Sequence, residues 1–165
     1  MNKNDNYHID ITFNKHPSQE EFKIIEQSQN EEREICGRIH CSIDYKSYWE
    51  SACFWGVTVF LFMENKKPVG FVEWRIDEEN QQCVHILGFS INYKLRTNKL
   101  GTIFYEKFED LIKKEGYNKV SLFCANNNNI ARTFWVDKCK FTQCIEQNLE
   151  DEGCEYFKLL THCSP

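Results

Sequence analysis

The sequence predicts an α/β (α+β) fold: a mixed, mostly antiparallel sheet of six or seven strands flanked by helices. Three observations predict it. Runs rich in β-branched and aromatic residues recur at 57–63, 69–76 and 82–91, parted by polar turns. A segment of helical period, 100–115, follows the third run. It leads into Val120 to Cys124, a short apolar run of the kind buried in a parallel sheet. No repeat or long linker divides the chain, so residues 1–165 are expected to form one domain.

The elements follow in order. His8 to Phe13 alternates apolar and polar residues, as a half-buried strand does. Pro17-Ser18 opens a helix in which Phe22 and Ile25 repeat at helical spacing, with Glu20 and Glu21 near its positive end. Glu31 to Trp55 holds one or two short helices, with Tyr45, Tyr48 and Trp49 as aromatic surface. Val57 to Met63 and Val69 to Ile76 form a hairpin about the turn Asn65 to Pro68. Asp77 to Asn80 is a second turn, and Gln82 to Ile91 a third long strand. In the next helix Ile103, Phe104, Phe108, Leu111 and Ile112 share a face, and Gly116 stops it. Ile130 to Asp137 is a short helix. Phe141 to Gln147 and Glu155 to Leu160 form a closing hairpin around Asp151 to Gly153.

Composition narrows the function. Hydrophobic residues make up 41% of the chain and aromatics 15%, so core material is plentiful. The net charge of −5 argues against a general nucleic-acid binder and suits a cationic partner, an amine or a basic peptide. No stretch approaches the roughly 20 apolar residues of a membrane span. The polar start MNKNDNYHID lacks a secretory h-region, so a cytoplasmic protein is expected, with nuclear residence compatible. The nine cysteines sit singly and read as mostly buried free thiols. A zinc site from Cys36, His40 and Cys41 lacks a second paired half, and no metal is expected.

Chemistry is concentrated at Ile91 to Thr102, where a strand ends, a basic loop follows and a helix begins. First-turn amides and the helix dipole make an anion site suited to a pyrophosphate. Arg96 and Lys99 add charge, and Gly101 allows close backbone approach. Taken alone, the same residues read as a solvated basic loop before an ordinary helix.

With its surroundings, the segment resembles the Gcn5-related N-acetyltransferase superfamily. That family's pyrophosphate loop reads Arg/Gln-x-x-Gly-x-Gly/Ala after a strand ending apolar-x-apolar. Here Phe89-Ser90-Ile91 ends the strand, Arg96 is the first motif residue and Gly101 the last. Lys99 replaces the middle glycine and needs negative φ or a strained backbone. Asn129 to Trp135 resembles the family's Asn-x-x-Ala-x-x-aromatic segment, which flanks the pantetheine arm. Lys140 stands for a family glycine before Phe141, with one extra residue after the helix. The resemblance covers about residues 55 to 145. It implies acetyl-coenzyme A as acyl donor, held by Phe89, Ile91, Arg96, Thr97, Asn98, Lys99, Leu100, Gly101, Thr102, Asn129, Arg132 and Trp135.

It also implies an N-acetyltransferase in which an amine attacks the thioester directly, in a ternary complex. A base of near-neutral pKa suits that step. His85 lies eleven positions before Arg96, the offset at which serotonin N-acetyltransferases carry a histidine and Gcn5-type enzymes a glutamate. Its competing reading is a core histidine with a satisfied hydrogen bond. Glu73 is the second candidate, against a reading as a solvated strand residue. The family's usual acid, a tyrosine, is replaced by Trp135 or Val136, leaving Tyr93 or solvent to protonate the thiolate. Small-molecule amines, protein lysines and N-termini are all open as acceptors, and so are monomer and homodimer. Glu31, Glu32, Glu34, Asp44 and Glu50 attract a cationic acceptor or form a solvated face. The alternative function is a catalytically weak or inactive domain of the same fold that binds acyl-coenzyme A or a partner protein.

Overall fold

A computed structural model describes residues 11–35, 44–144 and 153–160. Seven strands form one sheet in the order β1-β2-β3-β4-β5-β7-β6. They are β1 (Ile11–Asn14), β2 (Thr58–Glu64), β3 (Lys67–Ile76), β4 (Cys83–Ile91), β5 (Lys119–Ala125), β6 (Thr142–Gln143) and β7 (Gly153–Leu159). Only β4 and β5 run parallel. Four α-helices are described: α1 (Gln19–Ile35), α2 (Tyr45–Phe54), α3 (Leu100–Lys114) and α4 (Asn129–Thr133). The expected mixed sheet with flanking helices is what forms. His8 to Asp10, the closing turn at 151–152 and the cysteine pair proposed for zinc lie outside the described residues.

Local chemistry sets the element ends. Ser18 and Glu21 form a reciprocal cap on α1: the Ser18 amide donates to Glu21 Oε2 (2.7 Å), and the Glu21 amide donates to Ser18 Oγ (3.3 Å). The β2–β3 turn is tighter than Asn65 to Pro68. Asn65 (φ 48°) and Lys66 (φ 65°) both take left-handed backbone, so the strand resumes at Lys67. Helix α3 ends as expected at Gly116 (φ 96°), whose amide donates to Lys113 O while Tyr117 donates to Ile112 O.

Two cores sandwich the sheet. On one face α3 buries Phe104, Phe108 and Ile112 against Phe62, Trp74, Val84, Ile86, Val120 and Leu122. On the other, Ile25 of α1 and Trp49 of α2 pack on Val59, Leu61, Met63 and Phe71. Glu109 pins α3 to β7: its carboxylate accepts from Lys113 and Lys158, both at 2.6 Å. Burial pushes its pKa up, but those hydrogen bonds prevail and hold it below the usual glutamate range. Cys83, Cys124, Cys139 and Cys154 are free and buried, and Cys144 is free and half-buried.

Gly70 of β3 lies opposite Ile91 of β4. A Cβ there would collide with the Ser90 carbonyl oxygen and sit 3.0 Å from Ile91 Cα. Both obstacles are backbone and cannot swing aside. Gly70→Ala is therefore expected to destabilise the chain by about 1–3 kcal/mol, read as a lower urea midpoint at unchanged m.

Candidate active site

The site begins with a fault in the sheet. Opposite β3, Glu73 pairs with Gly88 and Trp74 with Ile86, so Leu87 is an extra residue in β4. The parallel ladder to β5 runs only from Cys83↔Lys119 to Ile86↔Leu122 and stops at that bulge. Beyond it the strands part, leaving the facing main-chain groups of 87–89 and 123–125 without ladder partners. The gap is a cleft of about 210 Å³ lined by Leu87, Gly88, Phe89, Phe123, Ala131 and Trp135, among others.

At the open end of the cleft, β4 passes into a 3-10 turn, Tyr93–Asn98, and then into α3. Asn92 caps the turn, accepting from the Lys94 amide. Lys99 takes φ 58°. The negative-φ alternative is thereby overturned: the lysine occupies the left-handed region, at a cost of about 1–2 kcal/mol. It does so because the chain must change course between two helical turns that both meet at Lys99. Its side chain is exposed. Gly101 faces Phe134, whose ring lies 3.2 Å from where a Cβ would stand, so this glycine serves helix packing. The side chains of Thr97 and Asn98 lie outside the described residues, while Leu100 is buried and Thr102 half-buried.

The loop's other cations are already paired. Arg96 donates from Nε to Ile91 O (3.0 Å) and forks onto Glu32 through Nη1 and Nη2 (2.6 and 2.7 Å). Lys94 pairs with Glu31 at 2.8 Å. Two carboxylates weighed as acceptor attractors thus tie α1 to this loop. A third, Asp44, caps α2, accepting from the Ser47 amide at 3.1 Å.

The far wall of the cleft is α4 and its extension. Asn128 caps α4, accepting from the Ala131 amide at 3.1 Å. Phe134–Lys138 then forms a single π-turn, closed by Cys139 N–H donating to Phe134 O. It absorbs the extra residue noted before Phe141. Lys140 follows at φ 65°, the left-handed backbone the family's glycine would take there. Trp135 is buried among Phe89, Tyr105, Phe134 and Phe141, with ring centroids 4.8–5.5 Å away. It is a packing residue that also forms part of the cleft wall. Ile91 is buried in the same core, and Arg132 donates to Asn126 O at 3.4 Å. Asn129 is exposed at the start of α4.

Glu73 is only 6% exposed, so its reading as a solvated strand residue is corrected. Trp49 Nε1 donates to Glu73 Oε1, and Oε2 stands 2.7 Å from where a Gly88 Cβ would be. Only glycine at 88 lets the carboxyl lie against the cleft-lining strand. Burial pushes its pKa up against the opposing Trp49 hydrogen bond. His85 lies on the same face, one rung inside the last paired rung. Its Nδ1 is 2.8 Å from Ser121 Oγ, and burial holds its pKa below the usual range, so it is neutral near pH 7. His85 does not line the cleft; Glu73 sits beside a residue that does. Sequence reasoning missed Gly88, Leu87 and the Trp49–Glu73 bond. A glycine inside a strand pattern was the available signal for the bulge.

The acetyltransferase (GNAT) family profile matches residues 18–141. No curated protein matches the chain in sequence. Solved structures do match in fold. A GNAT-family acetyltransferase from Staphylococcus aureus Mu50 aligns with TM-score 0.69 at 15% identity, covering 92% of this chain and 100% of its own. The PaiA N-acetyltransferase of Thermoplasma acidophilum, in complex with coenzyme A, aligns at 0.66 and 15%, covering 91% and 99%. The ribosomal-protein-S18-alanine N-acetyltransferase of Escherichia coli aligns at 0.61 and 14%, covering 92% and 93%.

A carboxyl whose pKa is raised on folding stabilises the fold while protonated and loses that contribution as pH rises. For Glu73 the loss begins near the ordinary value of 4.5 and runs up through the folded value. Glu73→Gln is expected to flatten this decline: the variant's Tm should gain on the wild type as pH goes from 4 to 8. Parallel Tm curves would show that burial does not raise the carboxyl's pKa.

Proposed function

The chain belongs to the acetyltransferase (GNAT) family, and from that premise we propose that it moves an acetyl group from acetyl-coenzyme A to an amine. The observation that carries this reading is the parting of β4 from β5 with the start of α3 at its open end. The residues present fit the donor. An anion finds the first-turn amides of α3 and exposed Lys99, and a narrow polar arm finds the main chain of 87–89 and 123–125 beyond the end of the parallel ladder. Phe89, Ala131 and Trp135 close one side. Ile91, Leu100, Gly101 and Thr102 shape the turn, with Arg96 acting through its fork on Glu32, and Asn129 and Arg132 stand at the α4 wall.

Acetyl-coenzyme A supplies the activated acyl group as a thioester. The amine nitrogen attacks the acetyl carbon and the carbon–sulfur bond breaks. The amine's proton passes to the protein, and the departing sulfur takes one from solvent or from Tyr93. Glu73 leads as the base: its raised pKa brings it toward neutrality, where general-base catalysis is effective. His85, neutral and on the same face, is a relay toward solvent. A cytoplasmic setting suits this chemistry; among the described residues no helix is long and apolar enough to cross a membrane.

Calorimetry should show coenzyme A binding to the full chain, and thiol release from acetyl-coenzyme A should rise with added amine. Glu73→Gln should lower kcat by roughly 10²–10⁴-fold with the coenzyme A Kd unchanged. His85→Ala should lower turnover less, also without loss of coenzyme A affinity. Binding without turnover for any amine would favour the acyl-coenzyme A-binding module instead. No binding at all would overturn the reading.

A further inference from the structure

Among the described residues, the cleft is walled on one face of the sheet and less covered on the other. On the α3 face, Phe89, Ala131 and Trp135 wall it. On the opposite face α1 and α2 pack over β2 and β3, α1 reaches the end of β4 where Gln29 Nε2 donates to Ser90 Oγ at 2.8 Å, and Leu87 and Phe123 are exposed. Alternation along β5 fixes what this face shows. Val120, Leu122 and Cys124 enter the α3 core, so Ser121 and Phe123 point the other way.

Phe123 is half exposed yet fixed in place. Its ring lies over Gly153, where a Cβ would stand 2.5 Å from Cζ and 2.8 Å from Cε1. A glycine thus makes the seat that holds an exposed aromatic ring beside the cleft. Leu87, the bulged residue, lines the same cleft from β4 and is 44% exposed. The cross-strand partner of Phe123 is Glu155, whose charge reaches the His85 ring. Farther from the cleft mouth the charges are mixed: Arg75, opposite His85, pairs with Glu78 at 3.5 Å, Asp77 also acts on the His85 ring, and Lys119 stands 5.3 Å over the Phe157 ring.

We infer that the acceptor amine is carried on an aromatic or branched apolar body, which stacks on Phe123 beside Leu87 while its nitrogen reaches Glu73. The inference rests on the transferase reading and names its substrate class. An aromatic platform offers a ring or branched chain favourable contact. Glu155 attracts the ammonium toward the cleft, whereas a polyamine or a basic lysine peptide brings no ring or branched chain to set on Phe123.

Two measurements on the full chain test this. In thiol release, 2-phenylethylamine and isoamylamine should exceed spermidine and a basic lysine peptide in kcat/KM. Phe123→Ala should raise KM for 2-phenylethylamine roughly tenfold, while Phe123→Leu restores most of it. Independently, in the presence of coenzyme A, 2-phenylethylamine should shift NMR resonances of Phe123 and Leu87, and these shifts should vanish in Phe123→Ala. Preference for spermidine or the lysine peptide, or an unchanged KM in Phe123→Ala, overturns the inference while leaving the transferase reading intact. If no amine releases thiol, the transferase reading fails, and absence of those shifts overturns the acceptor class as well.

Discussion

The parting of β4 from β5 is the constraint on which the rest of the molecule depends. Four paired rungs hold the two strands, then the bulge at Leu87 ends the ladder. Main-chain groups left unpaired are costly when water is excluded. A fold that opens its own sheet must offset that cost. Here the offset comes from the flanks: each separated strand keeps its outer partner, β3 for β4 and β7 for β5. An aromatic cluster around Phe89, Tyr105, Trp135 and Phe141 braces the closed side. The opening is thus wedged, with packing on one side and solvent on the other.

The family's glycines at two turns serve conformation before they serve contact, as two lysines reveal. Lys99 and Lys140 both hold left-handed backbone where the family motifs carry glycine. The turn geometry survives the change of side chain because packing on both sides over-determines it. At Lys140, Phe141 N–H reaches Trp135 O at 3.0 Å, a helix end widened by the π-turn. The loop's electrostatics are also remade. Glu31 and Glu32 pair with Lys94 and Arg96, and Lys99 is exposed beside them. A basic-looking sequence has become a more nearly balanced surface.

Much of the fold was legible because it rests on local signals. The hairpin at Asn65, the helix stop at Gly116 and the buried parallel strand at Val120 to Cys124 all follow from residue type and period. The site was legible only in part. Arg96, Lys99 and Gly101 could be placed at a helix start from motif spacing, but not the fork of Arg96 onto Glu32, 64 residues away in sequence. The same limit explains the ranking of the two bases. An offset along one strand singles out His85, whereas the burial of Glu73 depends on Trp49 from a helix whose position no period predicts. The extra residue before Phe141 read as a departure; its accommodation as a π-turn is a three-dimensional fact.

Glu73 joins these threads. A carboxyl in a strand interior is ordinarily destabilising, and this one lies under α2 with one oxygen accepting from an indole and the other against a glycine. Tryptophan donates a single hydrogen bond, enough to orient the group but too little to offset desolvation, so its pKa stays raised. Replacing the donor by a guanidinium would drop the pKa and leave a weak base; removing it would leave the carboxyl free to turn. The bulge at Leu87 and the glycine at 88 bring the main chain of β4 against the second oxygen. The irregularity that opens the sheet thus also sets the carboxyl at the edge of the opening. Stability given up at one bulge is converted into a cleft and a titratable group at its rim, which is why neither can be altered without disturbing the other.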